Sequence, residues 1–178
     1  MNKFTKFCIK AVFAGTVLGV AFLSGKMYGV HHTDAQWLAL NLYHEDRTDG
    51  ILGRRAVAAV VFNRMADRYH YFGEKSVKGI VTSGAKRGAN CDFSWTCDGK
   101  PDFNVKYGAW FLNYVLAYQI LIERDLGIFT DPTHGATWYH VKTMEKPASW
   151  PDDLEVVGTV GLHTFYRYKK NTATALSP

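Results

Sequence analysis

Apolar positions recur with a helical period in the first half of the chain, beginning with a helix predicted over residues 35–46. Leu38, Leu42 and Glu45 are spaced at i, i+4 and i+7, so they share one face of that helix. Because the leucines must pack inward, the spacing predicts that the Glu45 carboxyl lies at the mouth of a packed core. A glycine-containing loop, predicted at residues 50–53, leaves room for a substrate above this acid.

The same period predicts three more helices. The second contains an unbroken apolar run at residues 56–62, which is typical of the buried central helix of a fold. Ser76 is the predicted N-cap of a short third helix, and Asp102 or Asn104 that of a long fourth helix. The aromatic residues in the long loop before the fourth helix favour an ordered conformation. The predicted bounds are 54–69 and 77–82 for the second and third helices, 83–103 for the loop, and an end near Leu126, before Gly127, for the fourth helix.

The pattern changes to a strand period after Pro132. Residues 136–141 alternate, with Trp138 and His140 on one face and Tyr139 on the other. Two later stretches can pair as a hairpin across glycines, namely residues 155–157 and 162–168. Helices first and a small antiparallel sheet in the C-terminal part predict an α+β domain.

The first 30 residues differ in character from the rest of the chain. A basic stretch precedes residues 11–25, which are apolar and uncharged, as in the hydrophobic helix of a secretory signal. Such a helix spans about 22 Å, short of a hydrocarbon core of roughly 30 Å. Two alternatives remain open: an uncleaved signal-anchor in the inner membrane, or a cleaved signal peptide. Both predict an exported enzyme, membrane-anchored or periplasmic, with a leader at 1–30, a catalytic domain at 34–169 and a tail at 170–178.

Charge argues against a nucleic-acid partner. The formal net charge is +5, but four lysines lie in the leader, before the first acidic residue, Asp34. Without these four lysines, 17 of the 21 basic residues remain. They almost balance the 16 acidic residues, so the main domain is nearly neutral. A nucleic-acid site needs a basic face. We therefore expect that the protein does not bind nucleic acid. We also expect a monomer.

Cys91 and Cys97 bracket a short loop, CDFSWTC. An exported protein meets an oxidising compartment, which favours a disulfide between them, although two free thiols are the alternative. Neither a second cysteine pair nor histidines follow at zinc-ligand spacing. The sequence therefore predicts neither a metal nor another cofactor.

Glu45 is the strongest candidate for acid catalysis, because burial can hold a carboxyl group protonated at neutral pH. The alternative is a surface glutamate paired with Arg47 or Arg54. Asp49 is the first candidate for a second carboxylate, and Asp46, Asp92 and Asp98 are others. The candidate substrate-binding residues are polar or aromatic side chains in the loop, on the strands and on the second helix: Asn63, Phe93, Ser94, Trp95, Trp138, Tyr139, His140 and His163.

Five segments, in the same order, resemble the SleB/CwlJ-type cell wall hydrolases. The motif of that family runs roughly YxEARGE and then GQxAVAxVVLNR. The corresponding segments here are YHEDRTD (43–49), GRRAVAAVVFNR (53–64), FSWTCDG (93–99), DPTHGATWYH (131–140) and GLHTFYR (161–167). The chain departs from the motif at Asp46, Thr48 and Asp49, and the last departure shortens a glutamate to an aspartate.

The resemblance implies a peptidoglycan-degrading enzyme with a lysozyme-like helical core and Glu45 as its catalytic acid. The reaction it favours is lytic transglycosylation of the glycan strand between N-acetylmuramic acid and N-acetylglucosamine. The alternatives are an N-acetylmuramoyl-L-alanine amidase that holds zinc through His44, His140 and His163, and a non-catalytic wall-binding domain. An exported enzyme of this kind suits a phage signal-anchor endolysin or a bacterial wall enzyme.

Overall fold

A computed structural model describes residues 32–45, 49–67, 75–83, 91–101 and 103–169. The predicted leader, including residues 11–25, and the tail at 170–178 lie outside the described residues. In the described part of the chain, no helix has the length and apolar character needed to span a bilayer. The described residues from Asp34 onward belong to one compact unit.

Helix α1 consists of residues 32–45 and confirms the first predicted helix, starting a few residues earlier. Leu38 and Leu42 are fully buried, as their spacing requires. Helix α2, Gly50–Ala66, begins earlier than predicted, so the expected loop at 50–53 is wrong. Gly50 begins the helix with a φ of 68°, in the left-handed region that glycine adopts readily.

Helix α3, Val77–Val81, is capped as predicted, because the Ser76 hydroxyl accepts a hydrogen bond from the Gly79 amide at 3.0 Å. A short 3₁₀ helix, Ser94–Cys97, lies in the described part of the long loop. Helix α4 runs from Tyr107 to Asp125, and Gly127 follows with a φ of 70°.

The predicted cap of α4 needs correction. Its N-cap is Lys106 rather than Asn104, and Asp102 lies outside the described residues. The Asn104 amide donates to the Pro101 carbonyl, so this segment forms a turn before the helix begins. The Lys106 amide donates to the Tyr43 hydroxyl, which holds the start of α4 against α1.

Three antiparallel strands form the sheet, and this combination with the helices confirms an α+β fold. They are β1 (Trp138–Val141), β2 (Leu154–Val160) and β3 (His163–Tyr168), in the order β1-β3-β2. The predicted hairpin is present between β2 and β3, with a longer first strand, a second strand that begins one residue later, and a shorter turn at residues 161–162. A bulge between Val156 and Gly158 accounts for the extra residue in β2.

The side-chain amide of Asn63 on α2 binds the segment that leads into β1. Asn63 Nδ2 donates to Asp131 Oδ2 and to the Ala136 carbonyl, both at 3.0 Å. Asp131 also accepts hydrogen bonds from the amides of Thr133 and Gly135, so its carboxylate organises the turn. Asn63 is one of the candidate substrate-binding residues from the sequence. In the structure its side-chain amide donates hydrogen bonds to this turn.

Replacing Asn63 with alanine should lower the free energy of unfolding by about 2 kcal/mol, because two partly buried acceptors lose their donor. Urea denaturation followed by circular dichroism measures this difference. Asn104→Ala, at an exposed position, is the matched control and should stay within about 0.5 kcal/mol of the native protein. Equal stability of the two variants would show that the turn holds without the amide.

Candidate active site

A cavity of about 440 Å³ opens between the end of α1, α2, the cysteine loop, β1 and the connection from β1 to β2. Its lining combines indole and phenol rings with ionisable and small polar side chains. The lining residues are Glu45, Arg64, Cys91, Asp92, Ser94, Trp138, Tyr139, Pro147, Ser149 and Trp150. The cavity therefore brings Glu45 together with four other candidate site residues: Asp92, Ser94, Trp138 and Tyr139.

Glu45 is the last described residue of α1, and its carboxyl group is held by β1. The Tyr139 hydroxyl donates to Glu45 Oε2 at 2.8 Å. Burial raises the pKa of Glu45 above its ordinary value, although the Tyr139 hydrogen bond and the charges of Arg64 and His163 act against the rise. A carboxyl group in this environment can keep its proton to a higher pH than a solvated glutamate and still face a cavity.

Arg64 is a cavity residue that the sequence reasoning missed. It is 4% exposed, its Nε donates to the Thr137 carbonyl at 2.8 Å, and its guanidinium lies 4.8 Å from the Phe93 ring centroid. The sequence did carry a signal for it. Ala56, Val60 and Arg64 are spaced at i, i+4 and i+8, so the arginine continues a buried face of α2. A buried cation facing a cavity stabilises negative charge there.

Trp150 is a second cavity residue that the sequence pattern did not indicate. Its ring centroid lies 5.0 Å from that of Trp138, and the two indoles line the same cavity. It belongs to the irregular connection between β1 and β2, where periodicity gives no guidance. Hydrogen bonds from Lys146 Nζ to the Pro151 carbonyl and from the Trp150 amide to the Pro147 carbonyl hold this connection in shape.

The cysteine loop supplies one wall of the cavity. Cys91 and Cys97 form a disulfide, with Cα atoms 6.1 Å apart. Ser94 lines the cavity, whereas its neighbours Phe93 and Trp95 are buried in the core. Trp95 Nε1 donates to Asn41 Oδ1, and its indole stacks on His44 at 4.5 Å between centroids. Their packing thus accounts for these two aromatic residues without a substrate.

The candidate histidines have separate partners. His140 contacts the Tyr166 hydroxyl and the Val141 carbonyl, His163 contacts Asp49, and His44 stacks on Trp95. Within the described ranges, no group of three His, Cys, Asp or Glu side chains is arranged to hold a metal ion. The three histidines of the amidase alternative therefore do not converge.

The candidate second carboxylates are also separated. Asp92 lines the cavity with Glu45. The Asp49 carboxylate lies against the β2–β3 turn, where it accepts hydrogen bonds from the Leu162 amide and from His163 Nδ1. Asp98 pairs with Lys100 at the surface, and Asp46 lies outside the described residues.

The site of this α+β domain thus places the Glu45 carboxyl group in a cavity that is also lined by aromatic rings. The sequence model of the cell wall hydrolase family matches residues 48–166, and the chain belongs to that family, of the SleB/CwlJ type. Its activity is accordingly the degradation of cell wall peptidoglycan. Glu45 lies just before the matched stretch.

The fold is similar to that in the crystal structure of the catalytic domain of the Bacillus cereus SleB protein. The TM-score is 0.53 at 22% sequence identity, and the alignment covers 75% of this chain and 89% of the other. At this identity the likeness concerns the fold. Comparison with curated proteins returned no significant match.

Tyr139→Phe should raise the pKa of Glu45, because the lost hydroxyl stabilises the ionised carboxylate. A ¹³C NMR titration of labelled glutamate side chains measures this change directly. Tyr107→Phe, at an exposed position of α4, is the control and should leave the titration of Glu45 unaltered. An unchanged or lowered pKa in Tyr139→Phe would mean that the hydrogen bond does not act on the charged form.

Proposed function

We propose that the protein cleaves the glycan backbone of peptidoglycan as a lytic transglycosylase, with Glu45 as the general acid and base. The observation that carries this proposal is the Glu45 carboxyl group, which faces the cavity and has its pKa raised by burial. A protonated carboxyl group at neutral pH is what a glycosidic leaving group requires. The family membership supports the choice of peptidoglycan as the substrate.

Glu45 can serve both halves of the reaction. Its proton passes to the oxygen that bridges C1 of N-acetylmuramic acid to N-acetylglucosamine, and the C1–O bond breaks. The C6 hydroxyl of the same muramic acid then bonds to C1 and gives its proton to the Glu45 carboxylate. The products are a 1,6-anhydromuramic end and a free N-acetylglucosamine 4-hydroxyl, and the acid is regenerated.

The cavity supports a saccharide ligand. Trp138 and Trp150 offer apolar ring faces of the kind on which sugar rings stack, while Ser94 and Ser149 offer hydroxyl groups. Pockets of about 300–1,000 Å³ are typical for small ligands, so 440 Å³ suits a short stretch of a glycan strand. Arg64 adds positive charge beside the carboxylate that forms after proton transfer.

Asp92 favours a second candidate, a hydrolytic glycosidase. Such enzymes use two carboxyl groups on either side of the scissile bond, and Asp92 lines the cavity with Glu45. In that mechanism Asp92 would act on a water molecule or on C1 itself. The two mechanisms differ in their products, since hydrolysis leaves reducing ends and transglycosylation leaves anhydro ends.

Export follows from a substrate that lies outside the inner membrane. We propose that residues 11–25 direct the enzyme there, either as a cleaved signal or as an anchor. The intact mass of the protein recovered from the periplasm distinguishes the two forms. A phage endolysin and a bacterial wall enzyme are both compatible with this route.

Glu45→Gln should reduce the release of soluble glycan from purified sacculi by at least about a hundredfold, because the general acid is lost. The variant should keep the melting temperature of the native protein, since the amide is isosteric with the acid. Glu145→Gln, at an exposed position, is the matched control and should retain full activity. A Glu45→Gln protein that still degrades sacculi would remove Glu45 from this role.

Mass spectrometry of digested sacculi should show glycan fragments that end in 1,6-anhydromuramic acid. The mass is lower than that of the hydrolytic product by one water molecule, so the two reactions are separated in a single spectrum. Fragments with only reducing ends would establish hydrolysis and direct attention to Asp92. Free stem peptides with intact glycan would indicate an amidase.

A further inference from the structure

Asp49 occupies the N-cap position of α2 but does not cap the helix. An aspartate at this position ordinarily accepts a hydrogen bond from an amide of the first turn, which is worth about 1 kcal/mol. The Asp49 side chain makes no such bond. Its carboxylate, only 3% exposed, instead accepts from the Leu162 amide at 2.8 Å and from His163 Nδ1 at 2.9 Å. The first turn of α2 therefore lacks a side-chain cap, because the Asp49 carboxylate binds to the β2–β3 turn and to His163 instead.

The turn is shaped around the Asp49 carboxyl group. Gly161 has a φ of 56°, in the left-handed region that favours glycine. A Cβ atom on Gly161 would also overlap the Asp49 carboxyl group. The backbone and the carboxylate are thus in direct contact, which fixes the position of Asp49 relative to β3.

Asp49 determines which ring nitrogen of His163 carries a hydrogen atom. Burial favours the neutral acid, but hydrogen bonds from Leu162 and His163 and the charges of His163 and Lys142 outweigh it, so the pKa of Asp49 lies below its ordinary value. An ionised carboxylate only accepts hydrogen bonds. His163 Nδ1 must therefore carry a hydrogen, and the orientation of the imidazole ring is set by Asp49.

His163 in turn supports Tyr139. The two rings pack edge to face, with centroids 5.4 Å apart and an interplanar angle of 84°. Phe165 contacts Tyr139 on the same face of the sheet, with centroids 5.5 Å apart. The tyrosine ring is therefore held by two neighbours on β3 while its hydroxyl reaches Glu45.

We propose that Asp49, His163 and Tyr139 form a positioning relay that fixes the Glu45 carboxyl group in the cavity. The relay joins four separate parts of the chain: the residue before α2, β3, β1 and the end of α1. It rests on the proposed role of Glu45. Asp49 and His163 are positioning residues, because they act through Tyr139 and through the electrostatic field.

The charges around Glu45 determine the direction of the expected effect. Arg64 on α2 and His163 on β3 lower the pKa of Glu45, Tyr139 on β1 lowers it by its hydrogen bond, and burial raises it. Asp92 lines the same cavity. Replacing His163 removes an interaction that lowers the pKa of Glu45, so this pKa should rise. The alkaline limb of the rate profile, where the general acid loses its proton, should then move to higher pH.

The test measures kcat and KM on soluble glycan strands of peptidoglycan across a range of pH. His163→Asn retains a donor for Asp49 but removes the imidazole ring that packs against Tyr139. We expect kcat to fall on the order of tenfold, with KM little changed, since a loosely held acid is misplaced at the reacting bond. We also expect the alkaline limb to shift upward. His134→Asn, the same substitution at an exposed position, should change neither quantity.

Asp49→Ala provides the second variant, because it removes the oxygen that accepts from both the Leu162 amide and His163 Nδ1. It should lower kcat to a similar degree, and adding it to His163→Asn should cost nothing more, as expected for residues that act as one unit. If His163→Asn proves unfolded at the assay temperature, Asp49→Ala decides alone. A wild-type kcat in Asp49→Ala would then overturn the relay.

Two outcomes separate this inference from the function on which it rests. An unmoved alkaline limb and a kcat within twofold of the native value in His163→Asn, with Glu45→Gln inactive, would overturn the relay and leave the function standing. Activity in Glu45→Gln would instead overturn the function itself. A fall in melting temperature without a shift of the alkaline limb would mark the pair as structural and also overturn the proposal.

Discussion

The hydrogen bond from the Tyr139 hydroxyl to the Glu45 carboxyl joins the helical and the β parts of the site. Burial alone would leave a carboxyl group protonated but undirected, and full solvation would leave it ionised. The phenol donor holds the group in place while burial still raises its pKa. The acid is thus kept at a fixed point in the cavity without losing its tendency to hold a proton.

Helix α2 fixes the geometry of the Tyr139–Glu45 hydrogen bond, because two consecutive side chains of α2 bind the segment that leads into β1. Asn63 donates to the Ala136 carbonyl, and Arg64 donates to the Thr137 carbonyl. These bonds fix where β1 begins, and therefore where Tyr139 meets the end of α1. Since Arg64 also lines the cavity, the same residue supports the strand and contributes charge beside Glu45.

Local periodicity is sufficient for the parts of the molecule that depend on neighbours in sequence. It predicted the buried face of α1, and thus Glu45, and it predicted the β2–β3 hairpin. It failed where long-range contacts decide. Asp49 and His163 are 114 residues apart in the chain, so no spacing could pair them. Trp150 lies in an irregular connection, and its place in the cavity depends on packing against Trp138.

The departure from the family motif at Asp49 has a physical explanation in the β2–β3 turn. A glutamate would extend the carboxyl group by one methylene, about 1.5 Å, toward a backbone that the aspartate already touches at Gly161. The hairpin would have to recede, and His163 with it, which would withdraw support from Tyr139. The shorter acid and the glycine turn are therefore matched to one another. A carboxylate of either length could serve the same purpose, provided that the turn lies at the corresponding distance.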